Sequence, residues 1–263
     1  MASTRWVAIH FEDGRVHLID TELDNSIRVK GIGRIVPSSL KSEVPPCHSN
    51  INDVDVFISE VGLRELSAGL RRRAQTIQPK DAGFIIQMLG VKAGQSVLEA
   101  GTGSGAMTIA LMAALGPTGA ITTIEVREEH AEVARHNINI AELEWEAPEV
   151  STILGDLAEF GPTIPERSQD AAILDLPSAE SHLDTLIRVL KPGGRFAAYL
   201  PVSSQLEAMW VAAEERGCSI EWMGELMQRP WSRAMKGGVR PANHPFGHTA
   251  FLFFARTPLL DEN

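Results

Sequence analysis

The chain has 263 residues and a formal net charge of −10: long enough for one large domain or a large and a small one, and too acidic to grip nucleic acid over its entire surface. Its two cysteines, Cys47 and Cys218, are far apart, which gives neither a disulfide framework nor a metal-ligand spacing, and no metal is expected. No run approaches the roughly 18 apolar residues of a membrane span, and "MASTRWVAIHFEDG" lacks the basic start and apolar core of a secretory signal, so the expectation is a cytoplasmic protein without membrane contact.

Near the N-terminus, "WVAIHFEDGRVHLID" alternates apolar and polar residues on both sides of Asp13-Gly14, a dipeptide suited to a tight hairpin turn. Further β-like pieces follow around Ser26 to Val36 and Asp55 to Ile58, separated by polar and Pro-containing stretches. Residues 1–65 therefore read as a small β domain, in which no catalytic constellation is visible.

From about Asp81 helices alternate with short apolar strands. The strands are expected at Ser96 to Glu99, Ala120 to Glu125, Val150 to Leu154, Ala171 to Leu176, Arg195 to Leu200, Ile220 to Leu226 and His248 to Ala255. Helices are expected at Ser104 to Leu115, Glu128 to Ala141, Ala179 to Leu190 and Ser203 to Arg216. This rhythm makes residues 66–263 an α/β domain built on a doubly wound, mostly parallel, seven-stranded Rossmann-like sheet. Ligands of such sheets sit at the carboxyl ends of the strands, where the strand order reverses.

The first strand runs into "VLEAGTGSGA", with Gly101, Gly103 and Gly105 at alternate positions. Glycine allows close approach of a ligand, and the helix N-terminus that follows favours an anion. Read as G-x-G-x-x-A the loop also fits the pyridine-dinucleotide fingerprint. Glu99, two residues before the first glycine, would repel a pyrophosphate but can receive an ammonium. S-adenosylmethionine carries both a carboxylate and an ammonium. Glu125 ends the second strand, where an acid can accept from both ribose hydroxyls of an adenosine cofactor. His130 in the next helix lies near that ribose or simply packs, and Asp156 in "ILGDL" either receives the adenine amino group or caps the next helix. With "KPGGR" feeding a later strand, this set resembles the class I S-adenosylmethionine-dependent methyltransferases.

The fourth strand delivers "ILDLP", placing Asp175 near the expected transfer site. A carboxylate there can hold an amino group and orient the adjacent ring nitrogen, with a helix-capping Asp as the alternative. "RRRAQTIQPKDAGFIIQMLGVKAGQSVLEAGTGSG", "LDLP" and "RPANHPFGHTAFLFFAR" resemble motifs of the tRNA (adenine-N1)-methyltransferases that modify adenosine 58 of the T-loop. The resemblance covers about residues 64–257. It implies that Ser104, Gly105, Ala106 and Met107 line the methionine end of the cofactor. Glu125 and His130 would face the ribose and Asp156 the adenine, with Asp175 at the flipped target base and Gln75 to Lys80 at the pocket edge. It also implies a homotetramer acting on folded tRNA, with position 57 as a possible second target.

Two departures concern rings that could stack on a base. The family's usual aromatic before Pro79 is Gln78 here, and its Trp after the "LDLP" motif is replaced by Ser178 to Ser181. Trp231 and Phe246 could supply a ring, though a core position is expected of each. Basic clusters at Arg71 to Arg73, near Arg64 and Lys80, and at Arg229, Arg233, Lys236 and Arg240 could form a phosphate-contacting rim on an acidic protein. The first could equally be a solvated face. His248 is expected to be structural. The alternatives are a methyltransferase of the same fold acting on a small molecule or protein carboxylate, and a non-catalytic tRNA-binding subunit.

Overall fold

The computed structural model describes residues 5–73, 75–235, 237–242 and 247–259. Lys236 and Phe246 lie outside the described residues.

The alternating N-terminal stretch forms strands β1 (Trp6–His10) and β2 (Val16–Asp20), paired antiparallel with Trp6 opposite Asp20 and His10 opposite Val16. The expected turn is there, Gly14 at φ +84° donating its N–H to the Phe11 carbonyl. The period of two splits β1 between two cores. Val7 and Ile9 pack with Ile19, Val56 and Ile58, whereas Trp6 and Ala8 pack with Val61, Leu66 and the main core. Strands β3 (Ile27–Val29) and β4 (Gly33–Ile35) form a ribbon. Strands β5 (Cys47–Ile51) and β6 (Val54–Ser59) complete a sheet of order β2-β1-β6-β5. Two polar bonds hold this sheet to the larger unit: the Trp6 N–H donates to Glu144 Oε1 at 2.8 Å, and Trp145 Nε1 donates to the Val61 carbonyl at 2.7 Å.

Helices α1 (Leu63–Gly69) and α2 (Pro79–Leu89) lead into the main sheet. Proline at the first helical position and Gly90 at φ +68° after the last set the bounds of α2. There follow β7 (Ser96–Ala100), α3 (Ala106–Leu115), β8 (Ala120–Glu125), α4 (Glu128–Glu144), β9 (Glu149–Leu154), α5 (Leu157–Phe160), β10 (Gln169–Leu174), α6 (Leu183–Val189) and β11 (Leu190–Leu200). The chain continues through α7 (Ser203–Glu215), β12 (Ser219–Gly224), β13 (Trp231–Arg233), β14 (Val239–Pro241) and β15 (Phe251–Arg256).

The main sheet has the order β12-β15-β11-β10-β7-β8-β9, parallel from β11 to β9, with β15 antiparallel to both its neighbours. It buries both faces: Val97 of β7 joins one core, Leu98 and Ala100 the other. That accounts for near-continuous apolar runs in place of alternation. Beside β7 lie β8 on one side and β10 on the other, so a crevice opens at the carboxyl ends of β7 and β10.

The seven expected strands are present with shifted ends. β10 stops at Leu174, leaving Asp175 just beyond it, and β15 starts at Phe251. "KPGGR" is not a turn before β11 but a bulge within it: Gln169 faces Leu190, while Ala171 faces Arg195. Because Leu190 already belongs to that strand, the helix expected at Ala179 to Leu190 shortens to a 3-10 turn at Ala179–His182 followed by α6.

Candidate active site

The loop from Gly101 to Gly105 is folded against its neighbours by backbone bonds. The N–H groups of Gly101 and Thr102 donate to the Ile124 carbonyl at 2.9 and 3.2 Å, and the Gly105 N–H donates to Thr102 O at 2.8 Å. Gly101, at φ +94°, meets the start of the β10 loop so closely that a Cβ would stand 2.1 Å from the Asp175 carbonyl oxygen. In the same place the Asp175 N–H donates to the Ala100 carbonyl at 2.8 Å. Gly105, at φ +79°, heads α3, so the loop ends on a helix N-terminus.

Four carboxylates surround this loop in different states. Glu99 is 1% exposed, and its Oε2 accepts from Thr108 Oγ1 at 2.6 Å and Thr123 Oγ1 at 2.8 Å. Burial raises it to about 7, against the pull of the two hydroxyls. Glu125 is buried too, but bonded on both oxygens: Oε2 accepts the Gly103 N–H at 2.8 Å, and Oε1 accepts from the Arg127 N–H and Nε at 3.0 and 3.3 Å. A lone pair remains on Oε2 for a further donor. Asp156 caps α5, its Oδ1 accepting the Ala158 N–H at 2.7 Å. Asp175 is half-buried and caps no helix; desolvation, then the charge of Glu125, raises it to about 7, with Arg127 opposing.

Two cavities flank the crevice. One is lined by Gln75, Thr76 and Ile77 together with Gly101, Gly103, Ser104, Met107 and Asp175 among others. Ala106 also lines it. The second, of about 210 Å³, is bounded by Ala100, Ile124, Asp156, Leu176 and His182 among others. Thus Gly101, Gly103, Ser104, Ala106, Met107 and Asp175 come together in one cavity, and Asp156 borders the other. Glu99, Gly105, Glu125 and His130 line neither. His130 is buried in the first turn of α4, its Nδ1 without a hydrogen-bond partner among the described residues.

Asn137 was not legible as a site residue. It is 0% exposed on α4, where its Oδ1 accepts the Arg71 N–H at 3.1 Å and its Nδ2 donates to Arg71 O and Ser104 O, both at 2.9 Å. Ser104 Oγ also accepts the Arg73 N–H at 3.2 Å. The arginine segment is thereby strapped across the glycine loop, with Arg71, Arg72 and Arg73 exposed. The only sequence signal was a polar residue at a buried helical position. His248, expected to be structural, bridges Glu225 Oε2 at 2.8 Å and the Pro201 carbonyl at 2.9 Å. Trp231, expected in the core, is 63% exposed, because β13 and β14 pair only with each other.

A glycine loop on a helix N-terminus is held from behind by the acid ending the second strand and faces one cavity with the acid that follows the fourth. Comparison with known proteins says whose crevice it is. Residues 64–236 match the family described as the tRNA methyltransferase complex GCD14 subunit. The chain belongs to this GCD14 family. Relatives of the chain include the tRNA (adenine(57)-N(1)/adenine(58)-N(1))-methyltransferase TrmI of Methanocaldococcus jannaschii, 32% identical over 225 residues, or 77% of this chain and 78% of that one. The tRNA (adenine(58)-N(1))-methyltransferase TrmI of Thermus thermophilus is 33% identical over 198 residues, 74% of each chain. Among solved structures, a SAM-dependent O-methyltransferase from Thermotoga maritima superposes with a TM-score of 0.84 at 29% identity, covering 100% of this chain and 96% of that one. The fold is also that of the tRNA (m1A58) methyltransferase TrmI from Aquifex aeolicus, with a TM-score of 0.76 at 24% identity over 97% and 98% of the two chains. Among the described residues, no helix is long and apolar enough to cross a membrane, and no group of three or more His, Cys, Asp or Glu side chains could hold a metal ion.

Proposed function

We propose that the chain is an enzyme that transfers the methyl group of S-adenosylmethionine to N1 of adenosine 58 in the tRNA T-loop. The observation that carries this reading is the meeting of Asp175 with the glycine loop in one cavity, in a chain whose relatives are named for that reaction. The residues fit the cofactor. Gly101 lets the end of β7 lie directly against Asp175, loop N–H groups and the α3 N-terminus suit a carboxylate, and the second cavity has room for a base beside Asp156. When bound, S-adenosylmethionine supplies a methyl group activated by a sulfonium.

The chain's own residues divide the remaining work. Gly101, Gly103, Ser104, Ala106 and Met107 hold the methionine end. Glu125 accepts from the ribose while keeping the Gly103 N–H, and His130 packs behind it. Glu99 braces the loop through Thr108 and Thr123 and places negative potential under the ammonium. Asp175 accepts from the adenine N6, fixing N1 in line with the methyl group. As N1 bonds to the methyl carbon and gains positive charge, the carboxylate stabilises it and can take the N6 proton.

We further propose the division at about residue 65 into a small β domain and a catalytic domain, a cytoplasmic location, and a homotetramer. The exposed apolar side chains of Met227, Trp231, Met235 and Val239 around the β13–β14 ribbon support contact between copies. Arg71 to Arg73, Arg229, Arg233 and Arg240 would meet tRNA phosphates. No metal and no membrane enters this scheme. The intact glycine loop and Asp175 speak against a non-catalytic subunit.

The test is incubation with unmodified tRNA and S-adenosylmethionine, followed by digestion to nucleosides. N1-methyladenosine is expected, and its absence rejects the reading. A tRNA with adenosines at both 57 and 58, mapped after nuclease cleavage, reads whether position 57 is also modified. Methylation of a small-molecule hydroxyl in place of tRNA would favour the second reading, to which the O-methyltransferase description of the Thermotoga structure points.

A further inference from the structure

Beside the transfer site lies a larger opening that the transfer itself leaves unused. Helices α1 and α2 both pack against α3, and between them runs a groove of about 570 Å³. Its surface is chiefly apolar, with Leu63 and Leu70 on the α1 side, Ile77 and Ile86 on the α2 side, and Ala106 and Ala110 from α3. Thr76, Ile77 and Ala106 also line the cavity at Asp175, so the groove and the transfer site adjoin.

Two features of the groove serve nothing inside the chain. Gly83 lines it from the second turn of α2, where glycine weakens a helix relative to alanine. Its backbone is helical and, apart from the adjoining helix backbone, nothing among the described residues lies within 4 Å of where a Cβ would stand. Neither conformation nor packing within the chain therefore calls for glycine, and the space over it is left to something outside the chain. Arg64 and Arg72 line the same groove, are exposed, and form no ion pair among the described residues; Arg72 Nη2 stands 3.5 Å from the Ser67 carbonyl. On a chain of net charge −10, two guanidiniums without carboxylate partners beside an apolar surface fit an occupant that is anionic on one side and apolar on the other.

A nucleotide is both. Extruding a target base unstacks its neighbours, and an unpaired base regains contact by lying against side chains while its phosphate meets arginine. We propose that the groove between α1 and α2 receives the base of a tRNA nucleotide flanking the target adenosine, with Arg64 and Arg72 on the backbone phosphates. The proposal rests on the reading of the chain as a tRNA methyltransferase. It gives the enzyme a second hold on its substrate, apart from Asp175.

Gly83→Leu tests the groove while sparing the fold, since the added side chain enters open space and leucine is the better helix former. Affinity for unmodified tRNA in gel-shift titrations should weaken about tenfold, the scale of one lost base contact, and the KM for tRNA should rise to match. S-adenosylmethionine affinity should stay within about twofold of wild type. A tRNA made abasic at one of the two flanking positions should cost wild-type protein a similar factor, and Gly83→Leu should lose nothing further on it, because both changes remove the same contact. Wild-type tRNA affinity in a folded Gly83→Leu overturns the proposal. So does a loss that adds in full to that of an abasic nucleotide at either flank, which would mean that the groove takes something other than a base. A changed sedimentation of Gly83→Leu without tRNA overturns it too, by making the groove a contact between copies of the chain. If Gly83→Leu fails to fold, Arg64→Ala decides: tRNA affinity should fall and the slope of log affinity against log salt should flatten by about one phosphate contact, and wild-type values of both overturn the proposal. Wild-type protein that makes no N1-methyladenosine refutes the underlying reading instead, and the gel-shift comparison still tests the groove.

Discussion

The carbonyl oxygen of Asp175 occupies the place where any side chain at position 101 would begin: a Cβ on Gly101 would be 2.1 Å from it. The closeness is what lets the ends of β7 and β10 form one wall of the crevice. Gly101→Ala combines this clash with a left-handed φ of +94°. We expect it to destabilise the fold by about 2–4 kcal/mol, as core overpacking and strain together do, and to abolish cofactor binding. Denaturant unfolding and calorimetric titration with S-adenosylmethionine measure the two effects, and wild-type values for both would refute the assignment.

Asp175→Ala should abolish methyl transfer while leaving cofactor affinity nearly intact if, as proposed, the side chain meets the target base; its backbone N–H, which braces β7, is unaffected. A parallel loss of both in the same calorimetric and nucleoside assays would make Asp175 structural.

Glu99 and Asp175 are both raised to about 7, chiefly by burial. In the unfolded chain each would ionise in the ordinary carboxylate range near 4. Between roughly pH 4 and 7 the folded state therefore holds protons that the unfolded state has lost, so the stability these groups contribute is full below about 4 and declines as pH rises through 7. Activity runs the other way, since only ionised Asp175 accepts from N6. Turnover should climb about tenfold per pH unit below 7 and level off above about 8. A pH–rate profile with Asp175→Asn as control, beside melting temperatures over the same range, tests both signs.

Asn137→Ala removes three hydrogen bonds that join Arg71 and the glycine loop to α4. Backbone groups left unpartnered in a buried place cost about 1–3 kcal/mol each, so the variant should melt earlier and bind S-adenosylmethionine at least tenfold more weakly. Isothermal titration of a still-folded variant with wild-type affinity would show the strap to be dispensable.

Binding of tRNA should weaken steeply with salt, because the net charge of −10 leaves attraction to the local basic clusters. Replacing Arg71, Arg72 and Arg73 by Ala should flatten the slope of log affinity against log salt by up to about three phosphate contacts' worth. An unchanged slope in gel-shift titrations would return these exposed arginines to a solvated face.

The local signals were strong where the physics is local. Alternation around Asp13-Gly14 specified the first hairpin, and apolar runs between helical stretches located all seven strands of the main sheet. The loop glycines and the acids after the strands could be found because a turn, a helix start and a strand end each need particular residues within a few positions. β5 was missed because "CHSNI" carries no apolar alternation. The inner end of β11 was missed because "KPGG" reads as a turn, although it bulges within the ladder.

Sequence alone determined the sheet class, the glycine loop after the first strand of the main sheet and the acid that follows the fourth. Only the tertiary structure decided which polar side chains act together. Asn137 meets Arg71 across 66 positions and Lys80 meets Thr249 across 169, distances over which no pattern in the chain records a pairing. It also decided what each acid is. Glu99 and Glu125 are the same letter, yet Glu99 is held by two threonine hydroxyls and Glu125 by the Gly103 N–H and Arg127, and those partners exist only in the assembled structure.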